Sequence, residues 1–464
     1  MKTNFFKTMA LLSLALLFFA CNKDASVVLT QEVQENVATS QNETFVSITK
    51  AADIAAAFFA TQTDSPVTKS NARIASTETI RDSKNNNEPM MYVMNYTDGG
   101  FAIVGATKNY YPILAYSDEN NFVYNEEIGG LVIWMEETQE AIRQSVALDA
   151  NTKIQMRNLW SRYDPVVNMV SSSTPKTKAP DPAREAAFQA RKTTLMSMSG
   201  GSSYTYYRLT EAESYVGYDF SWLYGNGQLP GDDNYCIVGV KINYANQKVG
   251  PLINTLWHQG SPFNDLISGL AGCGTIAVAQ IMKSYQYPSY NWSNMPDNGA
   301  TSDTKVLIRD VHNRLGSGST VNTERAAFQY FGYNATIHSH DAVSAGNQII
   351  STNKPIFMGG YTNSFFGTPT GNGHSWVCAG VDRTFYTLTV FVEFLMGFPG
   401  SFYYTSHSHP SFYYPQVLHS YYPSYYFYMN WGWGAGYNAW YVHNDVSTSE
   451  GNFSHVRENI YVSY

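Results

Sequence analysis

The sequence predicts an α+β protein in successive parts, and three observations predict it. An Asp-Gly turn between two apolar runs near the start marks a small mixed unit. A Ser-, Thr-, Lys- and Pro-rich stretch from Ser171 to Pro182 then breaks the pattern. Beyond it, helical periodicities come first and strand-like runs later. That order suits a helical lobe packed on an antiparallel sheet lobe. The chain has 464 residues, enough for two or three domains. It is 44% hydrophobic and 14% charged, so it buries a core. A net charge of −8 argues against nucleic acid as a partner, because such binding is driven by basic patches. The 35 tyrosines fit a β-rich, extracytoplasmic surface.

Residues 1–21 form a lipoprotein-type signal. Lys2 and Lys7 make a basic start, and Met9 to Ala20 is apolar but too short to span a bilayer. The segment ends in Phe18-Phe19-Ala20-Cys21, which places a lipid anchor on Cys21; the alternative is ordinary cleavage near Ala20. Either route exports the chain, to the outer membrane or cell surface or into the medium. Residues 22–44 are an aperiodic polar tether.

Residues 45–155 make the first folded unit. Lys50 to Thr61 has helical spacing; Met91–Tyr96 and Gly100–Gly105 flank Thr97-Asp98-Gly99 as a hairpin; Tyr111–Ser117 continues the sheet; Ile133–Leu148 is a second helix. Residues 156–204 read as a basic linker with a short helix over Ala183–Lys192, and exposed linkers are where proteolytic processing concentrates. Residues 205–464 make the second domain. Helices are expected over Thr304–Leu315 and Asn322–Phe331, and strands over Pro355–Gly360 and Ser375–Val381, with Phe427–Gly434 closing the set.

The chemistry centres on Ala271-Gly272-Cys273-Gly274, followed at once by an apolar helical run through Lys283. Cys273 then sits at the first turn, where unpaired N–H groups and the helix dipole favour a thiolate. The competing reading is an inert core thiol. A thiol nucleophile needs a base, and Gly373-His374-Ser375-Trp376-Val377 offers His374 on a strand. The base needs an orienting group: Asn430, with Trp431 as its cover. Gln259 can supply an oxyanion donor beside the Cys273 N–H. Taken singly, these are also a core histidine, a turn asparagine and a loop glutamine. His338 and His340 form a His-x-His pair that reads better as solvated histidines than as a metal site, so neither metal nor cofactor is expected. Cys236 and Cys378 lie in apolar strand-like runs and read as buried thiols rather than a disulfide, though pairing stays open.

In the order Gln, Cys, His, Asn these residues match a papain-like, two-lobe layout. The blocks Trp257–Asn264, Gly272–Tyr285, Gly373–Val377 and Asn430–Gly434 resemble the streptopain family of cysteine peptidases in its Bacteroidetes-type form. Residues 45–155 look like that family's inhibitory pro-domain. The resemblance implies a zymogen: Cys273 as nucleophile, His374 as general base and acid, Asn430 orienting it, and Gln259 in the oxyanion hole. It also implies substrate contacts at Gly373, Ser317 and Trp431, protein or peptide substrates, and the pro-domain as intramolecular inhibitor. The chain departs from the family in a long insertion, roughly Phe385 to Tyr426, which reads as inert decoration before a lid or docking surface. The expected function is an exported cysteine endopeptidase. The alternatives are a catalytically inactive lipid-anchored binding module that uses the Tyr-rich insertion, and an acyltransferase or amidase on the same scaffold.

Overall fold

The computed structural model describes residues 44–62, 73–85, 87–125, 129–163, 182–209, 211–212, 236–316, 320–361, 364–365, 368–369, 373–396, 403–405, 416–443, 447–448, 451–452 and 457–464. The expected signal, tether, Cys21 and Ser317 lie outside these residues.

Helix α1 (Ile48–Thr61) starts where Ser47 accepts the Lys50 N–H at 3.2 Å. It buries Ala51, Ile54, Ala55, Phe58 and Phe59, one stripe at helical spacing. That stripe covers an antiparallel meander of β1 (Ile74–Arg81), β2 (Pro89–Tyr96), β3 (Phe101–Gly105) and β4 (Ile113–Ser117). The Asp-Gly turn forms between β2 and β3 as expected, with Gly99 and Gly100 at φ of 78° and 86°. Helix α2 (Gly129–Gln144) begins four residues before the expected Ile133. Strand β1 and helix α3 (Ala150–Ser161), the latter capped by Asp149, were not apparent in the sequence pattern.

Helix α4 (Pro182–Ser197) and β5 (Thr205–Tyr207) follow. Strand β6 (Cys236–Val249) leads into a long loop and the cysteine helix α5 (Cys273–Tyr285). Helices α6 (Ser302–Leu315) and α7 (Val321–Tyr330), both with Thr capping boxes, come next. Strand β7 (Asn334–Ser339), helix α8 (Ala342–Thr352) and β8 (Ile356–Tyr361) precede the longest strand, β9 (Gly373–Met396). Strands β10 (Tyr403–Thr405), β11 (Gln416–Asn430), β12 (Ala439–Val442) and β13 (Glu458–Ser463) complete the chain.

Among the described residues these thirteen strands form one antiparallel sheet: ten run in the order β1-β2-β3-β4-β12-β11-β9-β8-β13-β7, while β6 and β10 pair with β9 and β5 pairs with β6. The two folded parts expected from sequence therefore share a sheet: β4 pairs with β12 through Trp440↔Tyr116 and Tyr441↔Ala115. The residues around β9 face two cores. Trp376 and Cys378 join Leu131 and Trp134 of α2; Val377 and Ala379 join Ile276, Ala279 and Met282 of α5. The expected mixture of helices and antiparallel strands is present.

One reading needs correction. Residues 182–207 are not a free linker. Phe188 and Leu195 of α4 bury against Tyr206 and Ile237, and Arg191 forks onto the Glu393 carboxylate of β9 with two bonds of 2.7 Å. The described residues of the insertion are built into the sheet as well. They prolong β9 and β11, and β6 pairs along β9 from Val381↔Val249 to Phe394↔Cys236. Leu388, Val390 and Val392 share one face there and bury with Leu209, Cys236, Val238 and Val240. Cys236 and Cys378 are buried thiols, as favoured.

Candidate active site

Cys273 is the first helical residue of α5. Gly272 precedes it at φ 89°, a conformation that suits glycine, and no side chain caps the helix start. The open N–H groups of Cys273 and Gly274 are thus left for the sulfur, joined by the Ser375 N–H across on β9. These three favour a thiolate, while the Ser375 hydroxyl gives its proton to Glu324. Burial outweighs them and pushes the Cys273 thiol above its ordinary range.

His374 and Ser375 are consecutive on β9, so their side chains leave opposite faces of the strand. Ser375 takes the α5 side. His374 takes the other, where its ring lies parallel to Trp376 with centroids 6.1 Å apart. Its Nε2 meets the Trp431 carbonyl oxygen at 3.2 Å. Burial pulls its pKa down to about 4, against the opposing pull of that carbonyl and of Glu324. In this arrangement the site holds a neutral thiol and a neutral imidazole rather than an ion pair.

What sits on His374 is the first turn of α2. A Cβ added to Gly130 would lie 2.6 Å from the His374 ring carbon Cδ2 and closer still to the Trp431 ring. Further along α2, Trp134 donates its indole N–H to the Val442 carbonyl at 3.1 Å, and Glu137 forms a buried ion pair with Arg457 just before β13. At the meander, the Tyr116 hydroxyl donates to Asp382 at 2.7 Å. The segment from 129 to 143 thus forms a cover pinned at several points.

In this covered arrangement Asn430 is engaged away from the imidazole. Its side chain is buried, but its Nδ2 donates to the Thr255 carbonyl at 2.8 Å. Its Oδ1 accepts from the Gly432 N–H at 3.1 Å and from Gln280 at 3.3 Å. The amide ties the 255 loop and α5 to the end of β11, and the residue meeting the His374 ring is the following one, Trp431. Gln259 is buried on that same loop, whose carbonyl at 259 accepts the Ala271 N–H at 2.9 Å, two residues before Cys273. Gly373 is exposed at the start of β9, and Trp431 is fully buried between Trp376 and Tyr441. His338 is exposed, and His340 is half-buried, its ring bonded to His443 at 3.0 Å and Asn459 at 3.1 Å.

One residue of this neighbourhood escaped the sequence reading. Glu324, in the first turn of α7, is fully buried and accepts the Ser375 hydroxyl at 2.6 Å. Its placement one turn after the Thr320 cap was legible as a capping pattern, but nothing in the sequence linked it to the residue beside His374.

Residues 43–142 match the family described as Spi protease inhibitor. Among solved structures the chain is similar to a Cys-to-Ala mutant fragment of Prevotella intermedia prointerpain A, at 15% identity, covering 83% of this chain and 98% of that one, with a TM-score of 0.41. It is also similar to active wild-type Prevotella intermedia interpain A cysteine protease, at 14% identity, covering 46% and 94%, with a TM-score of 0.29. No curated protein matches the chain.

Proposed function

We propose that this chain is an exported cysteine endopeptidase held inactive by its own N-terminal layer. The observation that carries the reading is the position of Gly130: a helix from the inhibitor-matching region packs on His374, and the next residue of the same strand, Ser375, faces the cysteine that opens helix α5. On this reading, release of that helix lets the start of β9 rearrange, so that the His374 ring leaves the Trp431 carbonyl and reaches the sulfur. Cys273 then gives up its proton to His374, and the thiolate attacks a peptide carbonyl. The N–H of Cys273 and the Gln259 side chain supply the donors for the oxyanion. His374 returns the proton to the leaving amine, and water resolves the acyl-enzyme. Asn430 acts by fixing the loop at 255 and the Trp431 carbonyl rather than by holding the imidazole itself.

The test is a Cys273→Ala variant of the full chain. It keeps the fold and loses both casein hydrolysis and removal of its own N-terminal region; retained hydrolysis contradicts the assignment. N-terminal sequencing of the processed wild-type form fixes where the layer is removed.

A further inference from the structure

The nucleophile helix carries a polar side chain that the proposed reaction does not yet use. Gln280 is fully buried, about two turns along α5 from Cys273 and on the same face. It belongs to a closed ring of hydrogen bonds. The Asn430 Nδ2 donates to the Thr255 carbonyl at 2.8 Å, and its Oδ1 accepts the Gly432 N–H at 3.1 Å. A carbonyl only accepts and a backbone N–H only donates, so these two contacts fix which way the Asn430 amide points. Gln280 must then turn its Nε2 to that Oδ1, at 3.3 Å, and its own Oε1 is left to accept the Thr255 hydroxyl at 2.6 Å. All three side chains are buried, where a ring in which each group has its partner is a rigid unit.

Each member of the ring stands on a segment that carries part of the site. Thr255 is on the loop of Gln259, whose carbonyl holds the Ala271 N–H. Gln280 is on the helix that Cys273 begins. Asn430 precedes Trp431, whose carbonyl meets His374. The loop and the chain after β11 meet again further on, where His258 and Trp433 pair as an isolated bridge. No member of the ring comes from residues 44–163, so it does not depend on the covering layer. We propose that Gln280 is a positioning residue: through Thr255 and Asn430 it keeps the Cys273 helix, the Gln259 loop and the Trp431 carbonyl in one register. The inference rests on the peptidase reading above. Without the Gln280 amide, the Thr255 hydroxyl and the Asn430 Oδ1 each lose a buried partner, and the loop and the strand end shift against the helix.

The experiment uses the full chain, left to process itself, as wild type, Gln280→Met, Thr255→Val, Thr255→Ser and the Gln280→Met, Thr255→Val double variant. Active sites are first counted with a thiol-directed epoxide. Values of kcat and KM on a peptide substrate are then expressed per counted site. Methionine keeps the length of Gln280 without its amide. Its kcat per site falls about tenfold or more while KM stays within about twofold, the mark of reacting groups moved out of line rather than of lost substrate binding. Thr255→Val lowers kcat in the same way, and Thr255→Ser, which keeps the hydroxyl, restores it. Because both residues act through one ring, the double variant falls less than the product of the single effects. A Gln280→Met enzyme with fewer counted sites but an unchanged kcat at each has a structural role only and overturns the inference. So does a double variant whose loss equals that product. Should Gln280→Met not accumulate or not process itself, Thr255→Val against Thr255→Ser decides on the same readout. A kcat restored by serine supports the ring, and equal values overturn it. A wild type that neither processes itself nor cleaves peptide refutes the peptidase reading instead.

Discussion

Strand β9 has two halves with different work. From Gly373 to Asp382 it runs between α5 on one side and α2 with the N-terminal meander on the other, and almost every side chain is buried. From Arg383 to Met396 it leaves that setting and is flanked by β6 and β11. The first half carries His374 and Ser375, each delivered to a different face by alternation alone. The second half carries Arg383, Glu393 and the Leu388–Val390–Val392 stripe, and with them it holds α4 and β6 on the protein. One strand thus separates chemistry from attachment. Changes in the first half should alter reactivity, and changes in the second should alter stability alone.

The largest expected effect is at the sulfur. Cys273→Ala lowers peptide hydrolysis by at least about 10³-fold, as loss of a nucleophile does, while circular dichroism is unchanged. Next is the cover. Arg457→Leu leaves the Glu137 carboxylate buried without its cation and costs about 3–5 kcal/mol, read by denaturant unfolding of the full chain. Gly130→Val drives a branched side chain into His374 and Trp431; strain of about 1–3 kcal/mol falls on the covered form, which processes itself sooner than wild type. If processing of that variant is not faster, α2 is not the block.

Acid supplies a related test. His374 is held at about 4, below the usual 6.5, so the released state binds more protons than the covered state between those values. Stability of the covered form therefore falls as pH drops from about 6.5 towards 4. His340, also pulled down by burial and by His443, acts in the same sense. Self-processing should quicken over that window, and a flat profile contradicts the linkage. Smallest is Arg191→Ala in the distal half: the partly exposed pair with Glu393 is worth up to about 1 kcal/mol, and its loss leaves kcat/KM unchanged.

The same division sets what the sequence could show. The Cys273 helix was legible because a glycine, a cysteine and an apolar 3.6-residue period are local signals. The β2–β3 hairpin was legible for the same reason, through Asp98-Gly99. Asn430 stood out in the sequence as a candidate orienting group, but its partners Thr255 and Gln280 come from distant loop and helix positions, which no spacing encodes. The distal arm was hidden because Thr384–Phe394 alternates only weakly between aromatic and aliphatic residues, and its partner β6 precedes it by well over a hundred residues. The pairing of β4 with β12 is likewise a long-range match of two edges. Glu324 was out of reach because a capping-turn acid normally faces water, and only the packing of α7 on β9 turns it inward.

The central claim is that Cys273 is a nucleophile whose partner, His374, is uncovered when α2 leaves. The direct measurement is labelling of the full chain, before and after self-processing, with a thiol-directed epoxide, followed by peptide mapping. The account predicts little modification before processing, one equivalent on the Cys273 peptide afterwards at neutral pH, and none in His374→Ala. Labelling that is equal before and after processing, or that falls on Cys236 or Cys378 instead, contradicts it.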